Sequence, residues 1–176
     1  MLRFIKIFVV VVGFLSPLVA KDTNTKLGCV GIDKLNSSIT PVNLAVGVME
    51  CIKSDKYREG VEMYMLFGAY GQFDTKRVVD RSAHQAIPAL KMYISNEVTE
   101  AKREKWLQAV DTVLDEKNIG KLCTKIKQIG MPSYYPEYMI AHGLQAFNDG
   151  GKSGVHSDFS AKETWEEVLK GYVRCK

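Results

Sequence analysis

The chain has 176 residues and a formal net charge of +4, with 46% hydrophobic and 25% charged residues. This length supports one domain with a substantial core and is short for two ordinary domains. Basic residues are scattered between acidic ones and form no long run, so the composition argues against nucleic acid as a partner.

The N-terminal segment 1–20 has the pattern of an export signal. Arg3 and Lys6 give it a positive start, and residues 5–15 form an apolar core that is short for a membrane span. We therefore predict a cleaved signal peptide at 1–20 and a single helical domain at 21–176. Cleavage leaves a net charge of +2 and no expected membrane contact. The mature protein is therefore predicted to be periplasmic or secreted. The alternative is that residues 1–20 remain as an uncleaved membrane anchor.

Four cysteines follow the predicted signal peptide. An even number in an exported chain indicates two disulfide bonds, and four thiols allow three pairings. We favour Cys29 with Cys51 and Cys123 with Cys175, because the second bond would tie down the last helix. Free buried cysteines are the alternative. No CxxC spacing occurs, so the sequence offers little support for thiol redox chemistry or a zinc ribbon.

The stretch 54–89 is expected to organise the fold. Large apolar residues between Tyr57 and Tyr70 recur at helical spacing and cover more than one face of the helix. Residues 71–74 predict a tight corner, after which Asp74 would cap the second helix of this hairpin, which is the third predicted helix of the chain. Pro88 would kink or restart that second helix. The segment therefore predicts a helical hairpin at the centre of the bundle.

Capping residues and apolar stripes mark the other helices. Thr40 and Pro41 predict the start of the first helix, and residues 160–163 have the sequence Ser-Ala-Lys-Glu of a capping box. Further helices are predicted at 95–114, 118–129, 136–147 and 160–175. A strand could occur only in the N-terminal arm or around Gly154 and Val155. The prediction is an all-α, single-domain bundle of about seven helices, stabilised by disulfides.

Asp80, His84 and His142 are the candidates for catalysis. Asp80 and His84 are four residues apart and would share a face of the predicted third helix, as a carboxylate orienting an imidazole does. His142 could approach from another helix. The alternative is structural hydrogen bonding by each side chain. Because no HExxH, GxSxG or phosphate-loop motif is present, we predict no enzyme and no metal or cofactor, with a metal-assisted hydrolase as the alternative.

A tyrosine cluster and a long glycine-rich loop are the candidates for contact with a protein partner. Tyrosine gives large contact area at a small cost in entropy, and long loops in compact domains are often functional. The rings could instead complete the core. The predicted partner-binding residues are Tyr134, Tyr135 and Tyr138 near the start of the sixth helix, and His156 and Asp158 in the loop 148–159.

The chain ends with Gly171-Tyr172-Val173-Arg174-Cys175, a glycine-tyrosine element beside a cysteine. With an export signal, this domain size and cysteines that bracket helices, it resembles the periplasmic immunity proteins of type VI secretion systems, the Tai and Rap group. The resemblance implies an inhibitor whose partner is a secreted effector enzyme, and it allows a homodimer. A helical-repeat scaffold module is a further alternative.

Overall fold

The computed structural model describes residues 26–148 and 154–176, so the predicted signal peptide lies outside the described residues. Within these ranges the protein is all-α, as predicted, and its only sheet-like pairing is an isolated bridge between Val78 and Val155. The α-helices are α1 (Pro41–Lys53), α2 (Tyr57–Arg77), α3 (Ala86–Ser95), α4 (Glu100–Val113), α5 (Ile119–Ile129), the single turns α6 (Glu137–Ile140) and α7 (Gln145–Asn148), and α8 (Ala161–Gly171). Short 3₁₀ turns occupy Ile32–Lys34 and Arg81–Gln85.

The central element is α2, which packs against α1, α4 and α8. Val61, Phe67 and Phe73 are buried, and their spacing places them on different faces of the helix. Gly68 allows the Tyr172 ring to lie directly against the α2 backbone, where a β-carbon would overlap the tyrosine hydroxyl. The prediction that neighbouring helices surround this segment is therefore confirmed.

The predicted corner at residues 71–74 is wrong, because α2 continues without interruption to Arg77. Gly71 serves close packing, since a β-carbon at this position would lie against the side chain of Ile87. Asp74 is an interior residue of α2, where it pairs with Arg77 one turn later. The helix ends where Val78 turns to extended backbone, and Asp80 then caps the 3₁₀ turn.

The boundaries of α3 and α4 also differ from prediction. A new helix, α3, begins at Ala86 directly after the 3₁₀ turn Arg81–Gln85, so the helical segment restarts near Pro88 as predicted. Pro88 lies in the first turn of α3, where a proline is tolerated. Ser95 ends α3 and does not begin the next helix. Instead, α4 begins at Glu100 after Thr99 in extended conformation.

Three other helix starts lie where the sequence predicts them. Thr40 caps α1 by accepting a hydrogen bond from the Asn43 N–H, and Pro41 is the first residue of that helix. Ser160 precedes α8, but its side chain makes no capping bond, so the predicted capping box does not form. Asn118 precedes α5, which ends at Gly130 with a positive φ of 87°. The predicted helix 136–147 is broken into α6 and α7.

Both favoured disulfide pairings are present. Cys29 pairs with Cys51, with Cα atoms 4.6 Å apart, and Cys123 pairs with Cys175, with Cα atoms 5.6 Å apart. The second bond joins the end of the chain to α5. Two disulfides are compatible with an oxidising compartment. In the described part of the chain, no helix has the length and apolar character needed to cross a bilayer.

Candidate functional site

A buried carboxylate organises the C-terminal end of α2. Asp74 is completely buried, and its Oδ1 accepts a 2.8 Å hydrogen bond from Nε of Arg77. Nη2 of Arg77 lies 2.7 Å from the same oxygen, so the ion pair converges on one oxygen. The other oxygen, Oδ2, accepts hydrogen bonds from the hydroxyls of Tyr134 (2.8 Å) and Tyr138 (2.7 Å). Asp74 thereby ties the segment 134–138, which ends inside α6, to α2.

Burial and neighbouring charges shift the pKa values of Asp74, Tyr134 and Tyr138. Burial raises the pKa of Asp74, and the opposing effects of the Arg77 charge and the tyrosine hydroxyls do not fully offset it. Burial also raises the pKa of Tyr134 and Tyr138, and the nearby Asp74 charge raises it further. Both hydroxyls therefore remain donors. The Arg77 guanidinium lies 5.1 Å from the ring centroids of Phe73 and Tyr134, a distance typical of cation–π contacts.

The segment held by this cluster presents one aromatic side chain to solvent. Tyr134 and Tyr138 are partly buried and direct their hydroxyls inward, whereas Tyr135 between them is 60% exposed. Ser133 adds a third attachment, since its N–H donates a 2.9 Å hydrogen bond to the carbonyl of Ser37. Tyr135 therefore projects from a segment whose neighbours are fixed on both sides.

The loop after residue 153 is attached to the end of α2 beside this segment. The N–H of His156 donates to the carbonyl of Arg77 (2.8 Å), and the N–H of Val79 donates to the carbonyl of Gly154 (3.1 Å). Phe159 packs edge-on against Phe73 with ring centroids 5.2 Å apart. These contacts fix the loop on the same buried helix end that carries Asp74.

Tyr135 and this loop lie close together. A β-carbon placed on Gly154 would be 3.1 Å from the Tyr135 hydroxyl, so the tyrosine covers the start of the loop. Val155 forms the bridge with Val78 and is 38% exposed, and Val79, the residue after Val78, is 41% exposed. His156 is also exposed, as is Asp158. We call the group of Tyr135, Val79, Val155, His156 and Asp158 the bridge surface.

Asp80 fixes the connection between the 3₁₀ turn and α7. Its Oδ1 accepts from the Ser82 N–H (2.9 Å) and hydroxyl (2.6 Å), and its Oδ2 accepts from the Gln145 N–H (3.0 Å). The Ser82 Oγ in turn accepts from the Leu144 N–H (2.8 Å). The Ser82 hydroxyl, together with the backbone N–H groups, holds the pKa of Asp80 below its usual value. Gly143 leaves the space for this approach, since a β-carbon there would overlap the Asp80 carboxylate.

The prediction that Asp80 and His84 share a helical face is wrong. Residues 81–85 form a 3₁₀ turn, in which positions four apart do not face one another as they do in an α-helix. A ring nitrogen of His84, Nε2, lies 2.9 Å from the carbonyl of Val78, while Asp80 bonds to Ser82 and Gln145. His142 is exposed beside a shallow pocket that includes Tyr138. In residues 26–148 and 154–176, no three His, Cys, Asp or Glu side chains are arranged to hold a metal ion.

Sequence reasoning found the tyrosines and the loop but missed the residues that position them. Asp74 and Arg77 have the i,i+3 spacing of a helical ion pair, which is the signal that could have indicated their contact. Their burial depends on the packing of Tyr134 and Tyr138, which are about sixty residues away in sequence.

Comparison of the chain with known proteins matched no protein-family model, no curated protein and no solved structure.

Proposed function

We propose that this protein is an exported binding protein that neutralises a secreted antibacterial effector enzyme, and that the bridge surface makes the contact. The observation that carries the proposal is the placement of Tyr135. It is 60% exposed, while the tyrosines on either side of it are anchored to a buried carboxylate. An exposed aromatic side chain held on a fixed backbone is a typical centre for protein recognition.

The structure of the bridge surface supports this role in two ways. The tyrosine segment is attached to α2 through the hydroxyls of Tyr134 and Tyr138, and the loop is attached through its backbone, so little ordering entropy would be lost on binding. Its centre combines the aromatic Tyr135 with the exposed Val79 and Val155, and His156 and Asp158 add polar groups at its side. An apolar centre with polar groups around it is the usual composition of a specific interface.

The direct test expresses the product of each adjacent gene in a bacterium and asks whether this protein protects the cell from a toxic product. That product is directed to the periplasm, and growth is compared with and without this protein. We expect protection by the wild type and loss of protection by Tyr135→Ala. Tyr93→Ala is the matched control, because Tyr93 is 55% exposed on α3 and lies outside the bridge surface.

Binding of the purified proteins separates recognition from folding. We expect Tyr135→Ala to weaken the complex by about 2 kcal/mol or more, as at interface hot spots, with an unchanged unfolding midpoint. Tyr134→Ala and Tyr138→Ala should weaken the complex only together with a loss of stability, because their hydroxyls bond to Asp74. Full protection and wild-type affinity in a folded Tyr135→Ala protein would reject the bridge surface as the contact.

A further inference from the structure

A cavity of about 340 Å³ lies between α5 and the C-terminal segment of the chain. Leu114 and Ile119 give it an apolar wall, and the buried Cys123 of the second disulfide also lines it. We call it the C-terminal cavity. Its volume is at the low end of the roughly 300–1,000 Å³ typical of small-molecule sites. None of the residues of the bridge surface lines it.

Three cationic side chains and one acidic side chain line the same cavity. Lys127, Arg174 and Lys176 are all exposed and supply the positive charge, and Glu116 is the acidic group. The Nζ of Lys127 lies 3.4 Å from the backbone oxygen of Lys176, which keeps the Lys127 side chain beside the C-terminal segment. The cavity therefore combines an apolar wall with an excess of cationic groups.

Arg174 occupies a backbone position that favours glycine. Its φ is +64°, and the N–H of the next residue, Cys175, donates a 2.8 Å hydrogen bond to the carbonyl of Leu169. Arg174 lies two residues beyond Tyr172, the C-cap of α8, and its left-handed backbone conformation is one that glycine adopts more easily because it lacks a β-carbon. An arginine here carries a conformational cost that its side chain does not repay with any ion pair in the described chain. Such a position points to a use for the side chain.

We propose that the C-terminal cavity binds a small monocarboxylate with an apolar body. The carboxylate lies against Arg174 and Lys127, and the apolar body lies against Leu114 and Ile119. A guanidinium can hold a carboxylate through two parallel hydrogen bonds, which a lysine cannot. The apolar wall favours a ligand with an apolar body, because removing apolar surface from water is favourable. A small, fully hydrated anion has no such surface to bury.

Octanoate is a suitable probe, and octan-1-ol is its uncharged counterpart. Both are titrated into the purified wild-type protein, with binding followed by calorimetry and by the amide resonances of α5. We expect saturable octanoate binding that shifts the resonances of residues 119–127, and markedly weaker binding of octan-1-ol. We also expect weaker binding at high salt, since the cationic side chains are exposed to solvent.

Arg174→Gly is the decisive variant, because glycine suits the left-handed backbone and the protein should stay folded. We expect it to weaken octanoate binding by about tenfold or more, the usual effect of removing a charge-assisted hydrogen bond. Lys127→Gln should weaken binding less, since it removes a single charge with no paired geometry. Lys162→Gln, which removes an exposed lysine of α8 outside the cavity, is the matched control and should leave binding unchanged.

Three results would overturn the proposal. They are no saturable binding at millimolar octanoate, equal binding of octanoate and octan-1-ol, and unchanged binding in Arg174→Gly. The outcome is independent of the proposed inhibitory function, because that function is tested at Tyr135, which does not line the cavity.

Discussion

Asp74 and Arg77 lie one turn apart on α2, and Nη2 of Arg77 is 2.7 Å from Oδ1 of Asp74 inside the bundle. Each residue of this buried pair is also hydrogen-bonded to a segment at the protein surface. The Asp74 carboxylate accepts hydrogen bonds from the hydroxyls of Tyr134 and Tyr138 in one segment. The backbone carbonyl of Arg77 accepts a hydrogen bond from the N–H of His156 in the other. The exposed position of Tyr135 therefore depends on an ion pair that solvent scarcely reaches.

Replacing Asp74 by an amide should destabilise the protein strongly, because an amide has only one acceptor oxygen and cannot serve both Arg77 and the two tyrosines. Asp74→Asn leaves the Arg77 guanidinium, whose side chain is 10% exposed, without a carboxylate partner. We expect a loss of about 3–5 kcal/mol in the free energy of unfolding, the usual result of breaking a buried ion pair on one side. Urea denaturation measures it. Asp111→Asn changes an exposed aspartate of α4 and should stay within about 0.5 kcal/mol of the wild type.

A double variant tests whether the loss comes from the unpaired charge. Asp74→Asn combined with Arg77→Met removes both charges and keeps an apolar side chain against Phe73. We expect the double variant to be more stable than Asp74→Asn alone. A double variant at or below the stability of Asp74→Asn would contradict this account of the pair.

The two inward tyrosines should each contribute to stability through their hydroxyls. Tyr134→Phe and Tyr138→Phe keep the rings and delete one hydrogen bond each to Oδ2 of Asp74. We expect each to lower the free energy of unfolding by about 1.5–3 kcal/mol, the range for hydrogen bonds to charged groups. Tyr135→Phe is the control within the same segment, because that side chain is 60% exposed, and it should have almost no effect. Equal effects at all three positions would show that the hydroxyl bonds do not stabilise the segment.

The helices that the sequence predicted well are those whose signals are local. Thr40 and Pro41 mark the start of α1, and Gly130 follows the end of α5 with the positive φ that glycine favours. The two disulfide pairings were also predicted, although four cysteines allow three pairings, because a bond between Cys123 and Cys175 was expected to tie down the last helix.

The errors occurred where a residue's role depends on a distant contact. Gly71 resembles a corner residue, but in the structure it makes room for Ile87, which belongs to another helix. Asp74 resembles a helix cap, but Arg77 and the two tyrosines hold it inside α2. The candidate site was predicted only in part, because some of its residues are positioned by contacts that are distant in sequence. Tyr135, His156 and Asp158 were candidates from the sequence, whereas the exposed Val79 and Val155 and the buried cluster around Asp74 were not.

The contact between Gly68 and Tyr172 should make Gly68 intolerant of any side chain. The β-carbon of Gly68→Ala would overlap the Tyr172 hydroxyl, which lies against a fully packed part of α2. We expect a loss of about 1–3 kcal/mol, typical of overpacking, measured by urea denaturation. Gly120→Ala is the matched control, because a β-carbon on this α5 residue meets nothing within 4 Å. It should stabilise the protein by up to about 1 kcal/mol, since alanine is the better helix former.

Asp80 should make stability depend on pH in the acidic range. Hydrogen bonds from Ser82 and the Gln145 backbone hold its pKa below the ordinary value of 3.8, so the folded state favours the ionised form. Its contribution is therefore complete above pH 3.8 and is lost as the pH falls through the lower pKa of the folded state. Asp74 has the opposite sign, because burial raises its pKa, so the wild-type curve alone does not isolate Asp80. The measurement is the difference in unfolding free energy between the wild type and Asp80→Asn at each pH. We expect the wild type to be more stable at pH 6 and the difference to shrink steadily below pH 3.8. A difference that stays constant from pH 6 to pH 2 would mean that the ionised carboxylate does not hold this connection together.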